Sequence, residues 1–378
     1  MPNKECQVND APPPSLFAAL VALTFSCVMV IGAWQVIAAA LYSGGLEFPR
    51  TWIDFREGRS TGAIEKQLDQ KLPARSALIA VANSVHYLLT GGAGEQVRTG
   101  RDGWLFLTDE LRFEVEGNAH LQVRAGLLGS TARLLDQQGV KLVVALVPDK
   151  ARVYSSRLAS GHYPEYNSSR YQDALSALQI QGVTVVDLLK PLALAATQGD
   201  VYYRTDTHWN QSGAQVAAEA VAREVQRIGL ELEKTTFSSS TVGTPVERSG
   251  DLIRLMGLEG APKALGPRPD VEALVVTRQT SADNAVGLFG DSLVPVVLAG
   301  TSYSLRGNFH GFLQQALSAK VLNAAKDGGG FLQATTQYLN DEAFRSAKPK
   351  VLVWEIPERF LPSKLDEEQK WLGKVGLQ

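Results

Sequence analysis

Asp206 and His208 stand two residues apart in the segment TDTHWNQSG, directly ahead of a helical pattern that begins near Gln211. In an extended chain, side chains two apart leave the backbone on the same side. A carboxylate so placed can fix the tautomer of the imidazole and stabilise its protonated form, which is what a general base acting on a hydroxyl requires. Asn210 is positioned to cap the following helix. The competing readings are a simple capping turn, or two ligands of a metal site. The other histidines, His86, His120, His162 and His310, show no ligand spacing, so no metal and no cofactor is assigned.

Two serines are candidate nucleophiles, Ser292 in GLFGDSL and Ser302 in VPVVLAGTSYS. A nucleophile is best placed at the C-terminal end of a buried strand, in a tight turn that feeds a helix. Ser302 meets this criterion, since it follows a strong apolar run and Gly300 and leads into a helix near Asn308. Ser292 instead precedes the strand, which suggests a turn built with Asp291. Thr301 and Tyr303 beside the serine, Trp209 beside the histidine and Gly328 in the run Gly328–Gly330 are accompanying candidates for substrate binding or an oxyanion site. A glycine run after a strand is most often a turn, and this one lacks the order of a phosphate loop. Lys150 and Arg152 follow another strand and either face the ligand-binding edge of a sheet or are surface charges.

These residues need a scaffold, and the chain spells one out. From about 120 to 228, helical segments (QVRAGLLGSTARLLDQQ, RYQDALSALQIQ, QVAAEAVAREVQRIG) alternate with apolar runs (KLVVALVP, VTVVDLL). Apolar runs separated by helices argue for parallel strands buried on both faces. The alternation resumes after 294 with VPVVLAG, NFHGFLQQALSA, KVLNAA, GFLQATTQYLNDEAF and KVLVWEI. Between the blocks, residues 229–285 are rich in Ser, Thr, Gly and Pro, lack a sustained period and read as a loop-dominated insertion. The expectation is an α/β three-layer sandwich with one mainly parallel sheet, residues 111–378, interrupted by that insertion.

Ahead of it, residues 43–110 form a juxtamembrane extension with a helical pattern broken at Pro73 and the segment GRDGWLF, read as a turn delivering a short strand with a buried Trp104. The run from Leu16 to Tyr42 carries no charged residue and is long enough for a transmembrane anchor, with residues 1–15 as a cytoplasmic tail. It exceeds the apolar core of an ordinary signal peptide. Lys4 before it and Arg50 and Arg56 after it do not fix its orientation. The only cysteines, Cys6 and Cys27, lie within or before this run, so the body has no disulfide framework and no thiol nucleophile. With 37 basic against 39 acidic residues, no nucleic-acid footprint is present.

Taken together, DTHWNQSG, VLAGTSYS, NFHGFL, VLVWEIPERF and GRDGWLF resemble the alginate O-acetyltransferases of the AlgJ and AlgX type, with their SGNH-hydrolase-like domain. The resemblance extends from about residue 90 to 362. It implies a Ser-His-Asp triad carried by Ser302, His208 and Asp206, in a periplasmic domain that acetylates an exopolysaccharide and is held to the inner membrane by a single N-terminal anchor. It also implies a membrane-bound O-acyltransferase as acetyl donor and other exopolysaccharide assembly proteins as partners. The Asp-x-His block precedes the serine, so the motif order is permuted relative to ordinary SGNH hydrolases, and WEIPE stands where their block-three Asn is expected. The same residues would serve an acetylesterase, with water as acceptor, and a non-catalytic polysaccharide-binding component of the assembly machinery is the third possibility.

Overall fold

A computed structural model describes residues 75–280 and 294–365 continuously, together with Glu368, Trp371 and scattered positions before residue 57. About half of the expected anchor run 16–42 lies outside the described residues, as does Ser292. Among the described residues no helix is long and apolar enough to cross a membrane. The chain divides into two compact units, 1–82 and 83–378, and the second holds the parallel sheet.

Helix α1 (Arg75–Thr90) begins just past Pro73, where the sequence predicts a break. Strands β1 (Val97–Thr99) and β2 (Leu105–Leu107) then pair antiparallel and bury Trp104 in their connection. After α2 (Thr108–Leu111) the α/β alternation sets in: α3 (Gly117–Gln137), β3 (Lys141–Val147), α4 (Lys150–Val153), α5 (Arg170–Ile180), β4 (Thr184–Asp187), α6 (Leu189–Ala195) and α7 (Gln211–Arg227). A long antiparallel pair comes next, β5 (Phe237–Arg248) and β6 (Asp270–Gln279), with α8 (Asp251–Leu255) between them. The chain then returns to β7 (Val296–Ala299), α9 (Phe309–Leu317), β8 (Val321–Asn323), α10 (Gln333–Asn340), α11 (Glu342–Ser346) and β9 (Val351–Pro357).

The two alternating blocks form one five-stranded sheet, ordered β4-β3-β9-β7-β8, in which every pairing is parallel. Burial on both faces explains the continuous apolar runs. Along β3, Val143, Ala145 and Val147 pack into one core with α7 and α9, whereas Leu142, Val144 and Leu146 pack into the other with α3 and α5. Both cores must be apolar, so the strand shows no polar alternation.

Two expectations need correction. Within the expected loop-dominated insertion, residues 229–280 hold a long antiparallel pair, since β5 and β6 pair over most of their length. β5 is exposed along nearly its whole length and its register shifts between Val242 and Val246, so no buried face imposed a period of two on its sequence. The segment 330–344 is not one helix either. Asp341 adopts an extended conformation and accepts a hydrogen bond from the Ala343 N–H (2.9 Å), which ends α10 and caps α11.

Candidate active site

The C-terminal ends of β3, β9 and β7 lie side by side, and the segments that leave them, with the loop ahead of α7, carry the polar residues singled out above. The loop bearing Asp206 and His208 is pinched by an antiparallel bridge between Tyr202 and Trp209, with the Tyr203 N–H bonded to the His208 carbonyl (3.2 Å). Asn210 leaves this bridge in extended conformation and its side chain accepts from the Gly213 N–H (2.9 Å), starting α7. Trp209, fully buried, packs between Tyr303 and Phe309.

Almost every backbone polar group of the loop is held from outside it. Asp270 accepts from the N–H groups of Arg204 and Thr205 (2.9 Å each). Asp251 accepts from the N–H (2.7 Å) and hydroxyl (3.1 Å) of Thr207. Tyr303 donates its hydroxyl to the Thr207 carbonyl (2.9 Å). Lys150 donates Nζ to the carbonyls of Arg204 (3.0 Å) and Asp206 (2.9 Å). Preorganisation of this kind removes the ordering cost from the moment of reaction.

Within this frame His208 Nδ1 lies 2.6 Å from Asp206 Oδ1, and His208 Nε2 lies 2.7 Å from Ser302 Oγ. An ionised carboxylate can only accept, so Nδ1 carries the proton and Nε2 presents its lone pair to the serine hydroxyl. The same Oδ1 accepts from the His208 backbone N–H (3.0 Å), and Oδ2 accepts from the Asp251 N–H (3.2 Å) and Arg248 Nη2 (3.4 Å). Burial on its own would raise the Asp206 carboxyl, but the hydrogen bonds from His208 and the charge of Arg248 hold it well below the usual carboxylate range. Asp206 is therefore ionised wherever the protein is folded near neutral pH.

Ser302 opens a short 3₁₀ turn directly after β7, and the turn is held by a carboxylate the sequence reading did not identify. Glu355 of β9 is fully buried and accepts from the Thr301 N–H (2.7 Å), the Thr301 hydroxyl (3.0 Å) and the Ser304 hydroxyl (3.0 Å). Burial pushes its carboxyl up, while these donors pull it down. Gly300 makes room for it: a Cβ there would stand 2.6 Å from Glu355 Oε2 and 2.9 Å from the Glu355 carbonyl. Gly300→Ala is thus expected to cost about 1–3 kcal/mol through overpacking against a strand backbone. The cost would be read as a lowered melting temperature together with reduced turnover, and an unchanged melting temperature would refute this account of the turn.

Asp206, His208 and Ser302 open onto a cavity of about 640 Å³ whose wall is built largely by Arg248, Asp251, Arg254 and Lys263 of the β5–β6 excursion and also includes Arg306 and Asp327. The other expected site residues are placed differently. Thr301, Tyr303 and Trp209 are buried and do not line the cavity. Their polar groups are spent on Glu355, Thr207 and, for Trp209 Nε1, the Arg306 carbonyl (3.4 Å), so they position the turn and the loop rather than meet a substrate. Gly328 lines a second cavity with Arg124 and Phe360; its φ of +67° marks a turn after β8. Lys150 is buried beneath the site instead of facing its edge, and Arg152 pairs with the buried Glu358.

Asp206, His208 and Asp251 also lie close enough together to offer three ligand atoms to a cation. With Nδ1 donating to Asp206 and Nε2 accepting from Ser302, the ring has no free lone pair for a metal in this arrangement.

Comparison with known proteins gives a consistent result. Residues 97–358 match the family described as SGNH hydrolase-like domain, acetyltransferase AlgX. The chain is 35% identical over 363 residues to the probable alginate O-acetylase AlgJ of Pseudomonas putida, covering 93% of this chain and 92% of that protein. It is 33% identical over 372 residues to the AlgJ of Pseudomonas aeruginosa, covering 94% and 93%. Among solved structures, the O-acetyltransferase domain of Pseudomonas putida AlgJ superposes with a TM-score of 0.66 at 35% identity, covering 74% of this chain and 98% of that one.

Proposed function

Because the chain belongs to the family of SGNH hydrolase-like acetyltransferases of the AlgX type, we propose that it is an O-acetyltransferase that acetylates an alginate-like exopolysaccharide through an acetyl-serine intermediate. The observation that carries this reading is the continuous hydrogen-bonded line from Asp206 through His208 to Ser302 at the mouth of a cavity. Ser302 Oγ attacks the carbonyl carbon of a donor acetyl group while its proton passes to His208 Nε2. Collapse of the tetrahedral intermediate releases the donor, which takes that proton. In the second half, a sugar hydroxyl gives its proton to Nε2 and attacks the acetyl carbon, and Ser302 Oγ leaves and is reprotonated. Asp206 stabilises the imidazolium in both halves.

The donor in this scheme is an acetyl group presented by a membrane-bound O-acyltransferase, with other exopolysaccharide assembly proteins as partners. The body is assigned to the periplasm, anchored by residues 16–42; the length and lack of charge of that run support this. A permuted SGNH motif order is supported by Asp206 and His208 preceding Ser302 in the chain.

The test is to incubate the full-length protein in detergent with an acetyl ester donor and uronate oligosaccharides and to follow products by mass spectrometry. Acetylated oligosaccharide is the expected product. Free acetate alone, at any acceptor concentration, would identify an acetylesterase instead.

A further inference from the structure

Resting on that reading, we infer that Asp251 is a second positioning carboxylate for His208, supplied by the β5–β6 excursion and able to hold the imidazole N–H when Asp206 is lost. His208 Nδ1 lies 2.6 Å from Asp206 Oδ1 and 3.6 Å from Asp251 Oδ2, so two carboxylates face one ring nitrogen. The first is in hydrogen-bond contact, and the second needs only a small approach to reach it.

Asp251 is itself held in place. Its Oδ1 accepts both donors of Thr207, the residue between Asp206 and His208, and its backbone N–H donates to Asp206 Oδ2 (3.2 Å). Gly250 presses this corner against the loop: a Cβ on it would run into the Thr205 carbonyl and come within 2.6 Å of the Asp206 nitrogen. The Leu252 N–H bonds the Thr205 carbonyl (3.2 Å). Oδ2 is the oxygen of Asp251 not spent on Thr207, and it is the one turned toward the ring. Arg248, from the same excursion, donates to Asp206 Oδ2 (3.4 Å) and offsets the charge of the paired carboxylates. Burial and the neighbouring charge of Asp206 raise the Asp251 carboxyl, so removal of Asp206 also relieves the repulsion that disfavours its ionised form.

The arrangement predicts a departure from additivity that a structural role alone would not produce. Turnover of a chromogenic acetate by the full-length protein would be measured for Asp206→Ala, Asp251→Ala, Asp251→Asn and the doubles in the Asp206→Ala background. Asp206→Ala is expected to lower kcat by roughly 10–30-fold, and Asp251→Ala by about threefold or less. The double should fall to the level of His208→Ala, well beyond the product of the singles.

Asp251→Asn separates positioning from scaffolding, because the amide oxygen still accepts from Thr207 while the amide nitrogen cannot accept the imidazole N–H. It should keep the wild-type melting temperature, yet be as damaging as Asp251→Ala once Asp206 is gone. If the double equals the product of its singles, or if Asp251→Asn leaves the Asp206→Ala activity intact, the inference is overturned and Asp251 only scaffolds Thr207. Activity surviving in Ser302→Ala or His208→Ala would instead strike at the triad reading on which the inference rests.

Discussion

Replacing Ser302 or His208 by Ala is expected to lower acetyl-ester turnover by roughly 10³-fold or more, with the double replacement little worse than either alone. The expectation comes from the 2.7 Å contact between His208 Nε2 and Ser302 Oγ, since removing either partner ends the same proton transfer. Neither substitution should harm the fold much. The serine hydroxyl faces the cavity, and the loop around His208 is fixed by Asp270, Asp251, Lys150 and Tyr303 independently of the ring. Circular dichroism would confirm folding, and peptide mass mapping after brief exposure to an acetyl ester should find the acetyl group on Ser302 in the wild type. A folded Ser302→Ala protein with full activity would sink the covalent mechanism.

Lys150→Met, a substitution away from the cavity, should cost both stability and turnover. The Lys150 ammonium is buried and gives one bond each to the carbonyls of Leu105 (2.6 Å), Arg204 (3.0 Å) and Asp206 (2.9 Å), tying the β1–β2 pair and the Asp206 loop to the end of β3. The rings of Trp104 and Phe106 stand 5.2 and 5.3 Å from Nζ and complete the enclosure. Met preserves the length and the apolar stem but leaves the buried carbonyls of Leu105 and Asp206 unpaired, while that of Arg204 keeps the Leu105 N–H (3.0 Å). At about 1–3 kcal/mol for each stranded group, a loss of stability of about 2 kcal/mol or more is expected, with turnover reduced roughly tenfold as Asp206 loses its backbone restraint.

The pH dependence carries the same signature. Burial pushes the Lys150 ammonium down to about 8, against the opposing charges of Glu110, Asp206, Asp270 and Asp251. The protonated form supplies three N–H donors and the neutral amine only two. Wild-type turnover should therefore decline as pH rises through about 8, while the residual activity of Lys150→Met should lack this alkaline decline. Wild-type stability and turnover in Lys150→Met, judged by urea unfolding and steady-state kinetics, would refute the assignment.

Much of this protein was legible in its sequence because the relevant signals are local. β3, β7 and β9 read as strands because each is sandwiched between two apolar cores, so nearly every residue had to be apolar. Asp206 and His208 could be paired because two-residue spacing sets their relative direction whatever lies around them. Ser302 could be preferred because a turn at the end of a buried strand leaves a mark in the chain: an apolar run, a glycine, then a helix.

What the sequence left open was decided by contacts between segments far apart in the chain. β5 shows no alternation because water, and not a core, lies along most of it, and from its end come Arg248 and Asp251, which complete the surroundings of Asp206. Glu355 sits in an apolar strand and Lys150 after one; only the parallel register that sets β9 between β3 and β7 brings the carboxylate under Thr301, and only the folding of the Asp206 loop over β3 gives the ammonium its three carbonyls. Thr301, Tyr303 and Trp209 looked like ligand contacts for the opposite reason. Adjacency to a reactive residue says nothing of burial, and packing turned all three inward. A charge or hydroxyl declares its type in the sequence, but its partners are chosen by the tertiary fold, because the cost of burying it unpaired is met only where the chain brings the complementary groups to it.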